Sequence, residues 1–459
     1  MYKIRLNGVT DKYDYNELIK IFLKPEEFVT IMDDDAEFSD VEGETIQINE
    51  ELSDDKNSIK RDIFLKLSNL TQKFPPWGIL TGVRPVKLTG EIYDRLKDYD
   101  EIMAILKETY LLSDEKADLL LDTLKYQREK LPVADPKSVG VYIGIPFCPT
   151  RCLYCSFTSN QKGPEDIEKY LDALLKEIRY AGRAMKNSGM WTESIYIGGG
   201  TPTTLTAQQL DLLIETVKEH FDLSKCIEFT VEAGRPDTIT KAKLDVLAKH
   251  GIERISINPQ TMKDETLRLI GRSHSVDDIR KAFEIAGEDN RFLINADLIA
   301  GLPEETPEDF QRTLEEVISL NPANITVHTL AVKRASRLIE ADESYHYRQA
   351  KVVDEMLKIS SQMLDSKDYR PYYLYRQKHM AGALENVGYC KDDTPCVYNI
   401  RIMDEHQSIL ALGAGGISKR YYPEENRLER VPNVSNYEIY IERLDEMIER
   451  KRINFFEEV

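Results

Sequence analysis

An α/β fold, built on a parallel sheet curled into a barrel or partial barrel, is predicted by three features of the sequence. Six short β-rich runs recur at 141–147, 194–197, 227–231, 254–257, 293–299 and 324–330. Each consecutive pair is separated by enough chain for a helix, and the starts lie about 30 residues apart after a longer first interval, as βαβ units require. The intervening segments carry apolar stripes at helical spacing: Ile167, Leu171, Leu174 and Ile178, then Leu210, Leu213, Ile214 and Val217. Helix starts are marked too. Thr206 with Gln209 predicts a capping box, and Thr306 before Pro307 predicts an N-cap with proline at the first helical position. In such a sheet, functional groups belong at the C-terminal ends of the strands.

Residues 1–135 read as a separate N-terminal α+β unit. Tyr2, Ile4 and Leu6 alternate with Lys3 and Arg5, and Ile46 alternates with Ile48, which predicts two half-buried strands. The acidic run Asp33-Asp34-Asp35-Ala36-Glu37 between them reads as a solvated loop. Ile59, Ile63, Leu67 and Leu70 share one helical face, and Pro75 to Pro85 forms a turn-rich segment around Trp77. Helical patterns follow to about Lys130, and residues 131–136 read as a linker. Residues 136–335 make the barrel. Residues 336–459 form a third, mostly helical region, with an aromatic run from Tyr369 to Tyr375 and a small-residue segment from Leu412 to Ser418.

The chain has 459 residues, which predicts roughly two to four domains. Its net charge of −19 argues against nucleic acid or an anionic membrane as a general partner, because phosphate surfaces require basic patches. No apolar stretch approaches the roughly 18 residues of a membrane span. The alternating start, Met1 to Leu6, lacks a signal-peptide core. A cytoplasmic protein is expected.

Three of the six cysteines crowd together as Cys148-Pro-Thr-Arg-Cys152-Leu-Tyr-Cys155, directly after the first barrel run. Three thiolates at this spacing can hold three corners of an iron–sulfur cube. The fourth iron then stays open, whereas electron-transfer clusters normally carry four protein ligands. A zinc site completed from afar and reduced core cysteines are the alternatives. The other strand ends also carry chemistry. The second ends in Gly198-Gly199-Gly200-Thr201-Pro202-Thr203, where glycines bring backbone N–H groups against a ligand. Glu232 and Arg235 follow the third. Asn258-Pro259-Gln260 follows the fourth, with Arg272 further on, and Asp297 interrupts the apolar fifth run.

The CxxxCxxC triplet, the GGGTPT turn and the barrel order resemble the radical S-adenosylmethionine (SAM) superfamily. Within it, the runs Val141 to Cys148, Asp297 to Pro303 and Leu412 to Ser418 resemble the oxygen-independent coproporphyrinogen III oxidase (dehydrogenase) family. Pro76 to Arg84 and Glu385 to Tyr389 look like its HemZ branch. The resemblance implies a partial (β/α)6 TIM-like barrel and a HemN-like C-terminal domain. It implies an iron–sulfur cluster of the 4Fe–4S type on Cys148, Cys152 and Cys155, with SAM on the open iron. One electron then splits the sulfonium, and the resulting radical takes a hydrogen from a propionate β-carbon. Loss of CO₂ and one electron leaves a vinyl group, and two such events convert coproporphyrinogen III to protoporphyrinogen IX. Tyr142, Glu232 and Asp297 are the implied catalytic residues. Tyr142, Gly198, Gly199, Gly200 and Glu232 match positions on the first SAM. Tyr154, Gly200, Thr201, Gln260, Arg272, Asp297 and Ala331 match positions on a second. A tetrapyrrole substrate and a reductant such as flavodoxin or ferredoxin are the implied partners. Lys333, Arg334, Arg337, Arg376 and Lys378 are candidate cations for propionates, or solvated surface charges.

The chain departs from the family in three places. Phe157 stands where the decarboxylases have a further cysteine, as in the heme-chaperone branch. Gly144 stands where a histidine precedes the triplet. The chaperones' heme motif HNxxYW reads Glu385-Asn386-Val387-Gly388-Tyr389-Cys390, with His379 nearby. A heme carrier, or an enzyme for another tetrapyrrole, are therefore the rival expectations.

Overall fold

The computed structural model describes residues 1–6, 12–32, 44–48, 55–155, 159–331, 349–377 and 380–457. The acidic run 33–37, Phe157, Lys333, Arg334, Arg337, Lys378 and His379 lie outside these residues.

Strand β1 (Tyr2–Leu6) is flanked by β2 (Phe28–Met32) and β3 (Glu44–Gln47), and both pair with it in parallel. The alternation predicted β1 and β3. It missed β2 because Phe28-Val29-Thr30-Ile31-Met32 is a nearly continuous apolar run. Ile4 and Leu6 pack with Leu18, Ile19 and Phe22 of helix Tyr13–Phe22 and with Ile59, Ile63 and Leu67 of helix Lys56–Thr71. Leu70, expected on that face, is instead exposed in the last turn of the helix. Residues 374–378 and 382–384 belong to this same compact unit.

The second unit holds most of an 11-stranded sheet, one strand of which ends in residues 374–375 of the first unit. Its centre is β4 (Ser138–Ile145), β5 (Trp191–Gly199), β6 (Glu228–Glu232), β7 (Arg254–Ser256), β8 (Leu293–Ala300) and β9 (Asn324–Thr329), each parallel to the next. These are the six predicted runs. Of the first predicted stripe, Leu171, Leu174 and Ile178 are buried in helix Pro164–Asn187 and Ile167 is only half-buried, while all four residues of the second are buried in helix Ala207–His220. Both N-caps form. Thr206 and Gln209 exchange hydrogen bonds of 3.2 and 2.9 Å, and Thr306 and Asp309 exchange two of 3.2 Å, a device whose loss costs about 1 kcal/mol.

The C-terminal region supplies helices Ala350–Asp365, Val397–Asp404, Tyr437–Glu442 and Leu444–Lys451. It also extends the sheet, which the sequence reading did not foresee. On the β9 side lie β10 (Arg370–Tyr375) and β11 (Asn386–Cys390). On the β4 side lie β12 (Ser408–Leu412), β13 (Ile417–Tyr422) and β14 (Arg427–Pro432). Among the described residues β4 and β9 take β12 and β11 as neighbours rather than each other, so the six strands form an open arc.

Period-2 alternation sorts each strand. Val139, Val141 and Ile143 of β4, Ile195 and Ile197 of β5 and Ile325 and Val327 of β9 are wholly buried on one face. The other face is polar: Tyr142, Tyr196, Glu228, Thr230, Glu232, Arg254, Ser256, Asn295, Asp297, Asn324, Thr326 and His328. At its N-terminal end this face receives residues 394–407. Arg254 binds Asn295 (2.8 Å) and the carbonyls of Thr394 and Pro395 (3.1 and 3.2 Å). Glu228 accepts the amides of Val397 (2.9 Å) and Tyr398 (3.1 Å) at the start of their helix, a favourable place for a carboxylate. Glu193, on a bulge in β5, takes a two-pronged bond from Arg401 at 2.8 and 2.9 Å. Among the described residues no helix is long and apolar enough to cross a membrane.

Candidate active site

The cysteine loop leaves β4 and is tied down on both flanks. The Cys148 amide donates to Asn160 O (3.0 Å), and Asn160 returns its amide and Nδ2 to Pro146 O, both at 2.9 Å. Further on, Leu153 N donates to Ile270 O at 2.9 Å. Cys152 is buried, Cys148 and Cys155 are half-buried, and the three are not joined in disulfides. Burial pushes the Cys148 thiol above its ordinary value, against a hydrogen bond from Thr201. Among the described residues no three His, Cys, Asp or Glu side chains converge as ligands of one metal ion. A cubane does not ask for that convergence, because each thiolate binds a different iron.

The glycine turn is pressed against this loop. Gly199 has φ +119°, which side-chain-bearing residues rarely adopt, and a Cβ on Gly200 would come within 2.9 Å of Cys148 Sγ and 2.6 Å of Phe147 O. Thr201 Oγ1 lies 3.5 Å from the same sulfur. Glycines 198–200 therefore let this turn pack directly against the thiol loop, a close approach that any side chain would prevent. The residues fit a cluster with a small ligand.

Glu232 ends β6 on the polar face. It accepts Tyr196 Oη (2.5 Å) and the Gly199 amide (3.2 Å). Burial, with Asp297 nearby, pushes its carboxyl up to about 7 despite those bonds. Tyr142, Tyr196 and Tyr398 form a stacked wall beside it, with ring centroids 6.3 Å apart for Tyr142–Tyr196 and 4.7 Å for Tyr196–Tyr398. Asp297 faces His328 at 3.7 Å. Gln260, at φ +69°, donates its amide to Asp297 O (2.9 Å) and accepts Ile299 N (3.0 Å), carrying the β7–β8 pairing past the end of β7. Arg272 donates from Nη1 to Asn258 O (2.7 Å) and from Nη2 to Tyr154 Oη (3.4 Å). Its Nε and Asn258 Oδ1 are buried without a hydrogen-bond partner. Thr192, Ser194, Thr230, Arg254 and Gln407 have such atoms as well, and what sets this pair apart is its place beside Tyr154, Gln260 and Asp297.

The predicted residues thus fall into two connected sets. Tyr142, Gly198, Gly199, Gly200, Thr201 and Glu232 gather at the cysteines. Tyr154, Arg272, Gln260 and Asp297 are linked through Asn258 and the β7–β8 edge. Ala331 stands in a bridge with Met380 at the edge of the arc. Tyr196, His328 and Tyr398 were not anticipated. Alternation along their strands could have found the first two. Nothing local marks Tyr398, which arrives from a helix some 200 residues away in sequence from Tyr196.

Arg376 is not a substrate cation. It is buried, stacked 4.9 Å over Trp77, and hydrogen-bonded to the carbonyls of Leu80 and Ala383. The remnant of the heme motif is structural as well. Glu385 is 1% exposed, its carbonyl accepts Thr329 Oγ1 (2.7 Å), and Asn386 Oδ1 accepts Thr329 N (2.8 Å).

Residues 142–317 match the model of the radical SAM superfamily. The chain is 39% identical over 415 residues to the oxygen-independent coproporphyrinogen-III oxidase-like protein HemZ of Bacillus subtilis, covering 88% of this chain and 81% of that one. It is 28% identical over 309 residues to the heme chaperone HemW of Haemophilus influenzae, covering 65% of this chain and 75% of that one. The solved structure of coproporphyrinogen III oxidase (HemN) from Escherichia coli shares the fold. It matches with a TM-score of 0.53 at 24% identity, covering 68% of this chain and 71% of that one. Radical SAM proteins use a 4Fe–4S cluster and S-adenosylmethionine, the pair that the triplet and glycine turn fit. With its triplet, its polar arc and a HemZ relative along most of its length, the chain belongs to the oxygen-independent coproporphyrinogen III oxidase-like family of radical SAM proteins.

Proposed function

We propose that this chain oxidatively decarboxylates two propionates of coproporphyrinogen III to vinyl groups, giving protoporphyrinogen IX, with a flavodoxin- or ferredoxin-type reductant in the cytoplasm. When bound, the cluster and S-adenosylmethionine supply a carbon radical strong enough to take a hydrogen atom from a propionate β-carbon. The chain binds, aims and shields. Cys148, Cys152 and Cys155 would hold three irons, and the glycine turn 198–200 would give a small ligand close approach to them. Glu232 would take an ammonium or ribose hydroxyls, and the wall formed by Tyr142, Tyr196 and Tyr398 keeps water from that corner.

The observation that carries this reading is the orphaned pair Arg272 Nε and Asn258 Oδ1, linked to Tyr154, Gln260 and Asp297. A second polar ligand there agrees with the second S-adenosylmethionine that the family resemblance implies for a decarboxylase. A heme carrier is the less supported reading, because the histidine of the chaperone motif is replaced by Glu385, which is buried in backbone contacts at the end of β9. The test is anaerobic incubation of the reconstituted chain with S-adenosylmethionine, dithionite and coproporphyrinogen III. Release of 5′-deoxyadenosine with harderoporphyrinogen or protoporphyrinogen is expected. Stoichiometric heme binding with coproporphyrinogen untouched would favour the carrier.

A further inference from the structure

Each spacer of the cysteine triplet is hydrogen-bonded to a different buried arginine. Arg272 reaches Tyr154, between Cys152 and Cys155 (3.4 Å). Arg235, just past β6, reaches the longer spacer between Cys148 and Cys152. Its Nη1 donates to Thr150 Oγ1 (2.6 Å) and to Thr150 O (3.4 Å). Thr150 Oγ1 in turn donates to Gly271 O (3.1 Å), so this hydroxyl joins the spacer to two neighbouring loops.

Arg235 is itself immobilised. It is 4% exposed, its Nε and Nη2 grip the two Asp237 oxygens at 3.0 and 2.9 Å, and Nη2 also meets Ser273 Oγ at 2.8 Å. Ser273 Oγ donates to Asp237 Oδ2 (2.8 Å), and His274 Nδ1 lies 3.5 Å from Asp237. A planar guanidinium with donors at fixed angles can bind a carboxylate on one side and a hydroxyl on the other, which a single lysine ammonium cannot copy. The arrangement involves no cysteine side chain. It is a fixed strut ending on the loop that carries the thiols, and it adds a positive field at Cys148.

We infer that Arg235, anchored by Asp237 and Ser273, is a positioning residue that holds the Cys148–Cys152 spacer through Thr150 and so presets the thiols before iron arrives. This rests on the cluster, not on the tetrapyrrole reading.

The test uses the full chain and two substitutions at the strut's far end, which leave Arg235 and Asp237 in place. Thr150→Val keeps the shape and removes the hydroxyl, while Thr150→Ser retains it. In the metal-free chain, alkylation by iodoacetamide is followed residue by residue by mass spectrometry, with buried Cys396 as the control. After anaerobic supply of iron and sulfide, loss of iron to a chelator is timed. Thr150→Val is expected to speed alkylation of Cys148 and Cys152 about threefold or more, with a comparable acceleration of iron loss. Thr150→Ser is expected to behave as the parent, and Cys396 to stay constant throughout. Arg235→Lys is expected to follow Thr150→Val. Unchanged rates in Thr150→Val, equal acceleration in Thr150→Ser, or faster alkylation of Cys396 would each overturn the inference. Neither readout involves S-adenosylmethionine or a tetrapyrrole, so the strut can stand if decarboxylation fails, and fall if it succeeds.

Discussion

Glu228 and Glu232 stand four residues apart on β6 and face the same way, yet the fold treats them oppositely. Glu228 faces Arg254 at 3.3 Å and caps the helix that begins at Val397 with two amide bonds. Every partner it needs is supplied by the chain. Glu232 has a tyrosine, one glycine amide and a neighbouring carboxylate, Asp297, and its carboxyl is raised to about 7. Arg254 likewise has a carboxylate beside it, with Glu228 3.3 Å from its Nε, while Arg272 hydrogen-bonds the Asn258 carbonyl and the Tyr154 hydroxyl. At the base the charged groups are paired within the chain, and at the mouth Glu232 is met by another carboxylate, Asp297. A carboxylate held at such a disadvantage marks a candidate ligand site.

Substitutions at the two ends should therefore fail in different ways. Cys152→Ala is expected to abolish S-adenosylmethionine cleavage altogether while leaving the melting transition of the metal-free chain within about 1 kcal/mol of the parent, since only a small thiol is lost. Retained 5′-deoxyadenosine formation would remove the cluster from the mechanism. Glu228→Gln, at the base, leaves Arg254 as a buried charge without its carboxylate. Breaking such a pair costs about 3–5 kcal/mol, to be read from urea unfolding. A loss below about 1 kcal/mol would mean that this ion pair does not hold the base together.

Glu232→Gln sharpens the contrast because two measurements should move in opposite directions. The folded carboxyl titrates near 7 against an ordinary 4.5. In the parent, the penalty for ionising it is therefore absent below about 4.5, grows between 4.5 and 7, and is fully present above. The neutral amide should stabilise the metal-free chain by about 1–3 kcal/mol at pH 8 and by nothing measurable at pH 4.5, while S-adenosylmethionine cleavage falls. An equal effect at both pH values would refute the buried-carboxylate account.

The sequence carried the mouth better than the base. The triplet, the glycine turn, Glu232 and Asp297 lie in short runs at strand ends, where spacing alone identifies them. The six central strands and their capped helices were readable because period 2 and period 3.6 alternate along the chain. β2 and the five C-terminal strands were not. The run around Tyr372 is apolar without alternation, and both Asn386–Cys390 and Ser408–Leu412 are wholly buried, so neither shows a solvent face. The base was invisible for another reason. Glu193, Arg401, Glu228 and the 394–398 backbone meet only through pairings across some 170 to 210 residues, and no local pattern reports such partners.

Tyr398 belongs to both ends, and it gives the smallest expected effect. Its amide is held by Glu228 at the base, while its ring stacks on Tyr196, which donates to Glu232 at the mouth. Tyr398→Leu keeps the amide and most of the buried apolar volume and loses the stacking, worth about 0.5–1.5 kcal/mol. If the wall only fills space, stability should drop by that amount and nothing else should change. If it fixes Tyr196 against Glu232, the freed ring weakens its hydrogen bond, and the Glu232 carboxyl should rise further above 7. The pH above which the Glu232→Gln stabilisation levels off, set by the folded carboxyl, would not move in the first case. In the second it would shift upward in the Tyr398→Leu background, and that shift is the expected result, because Tyr196 Oη is the shortest bond that the carboxylate has.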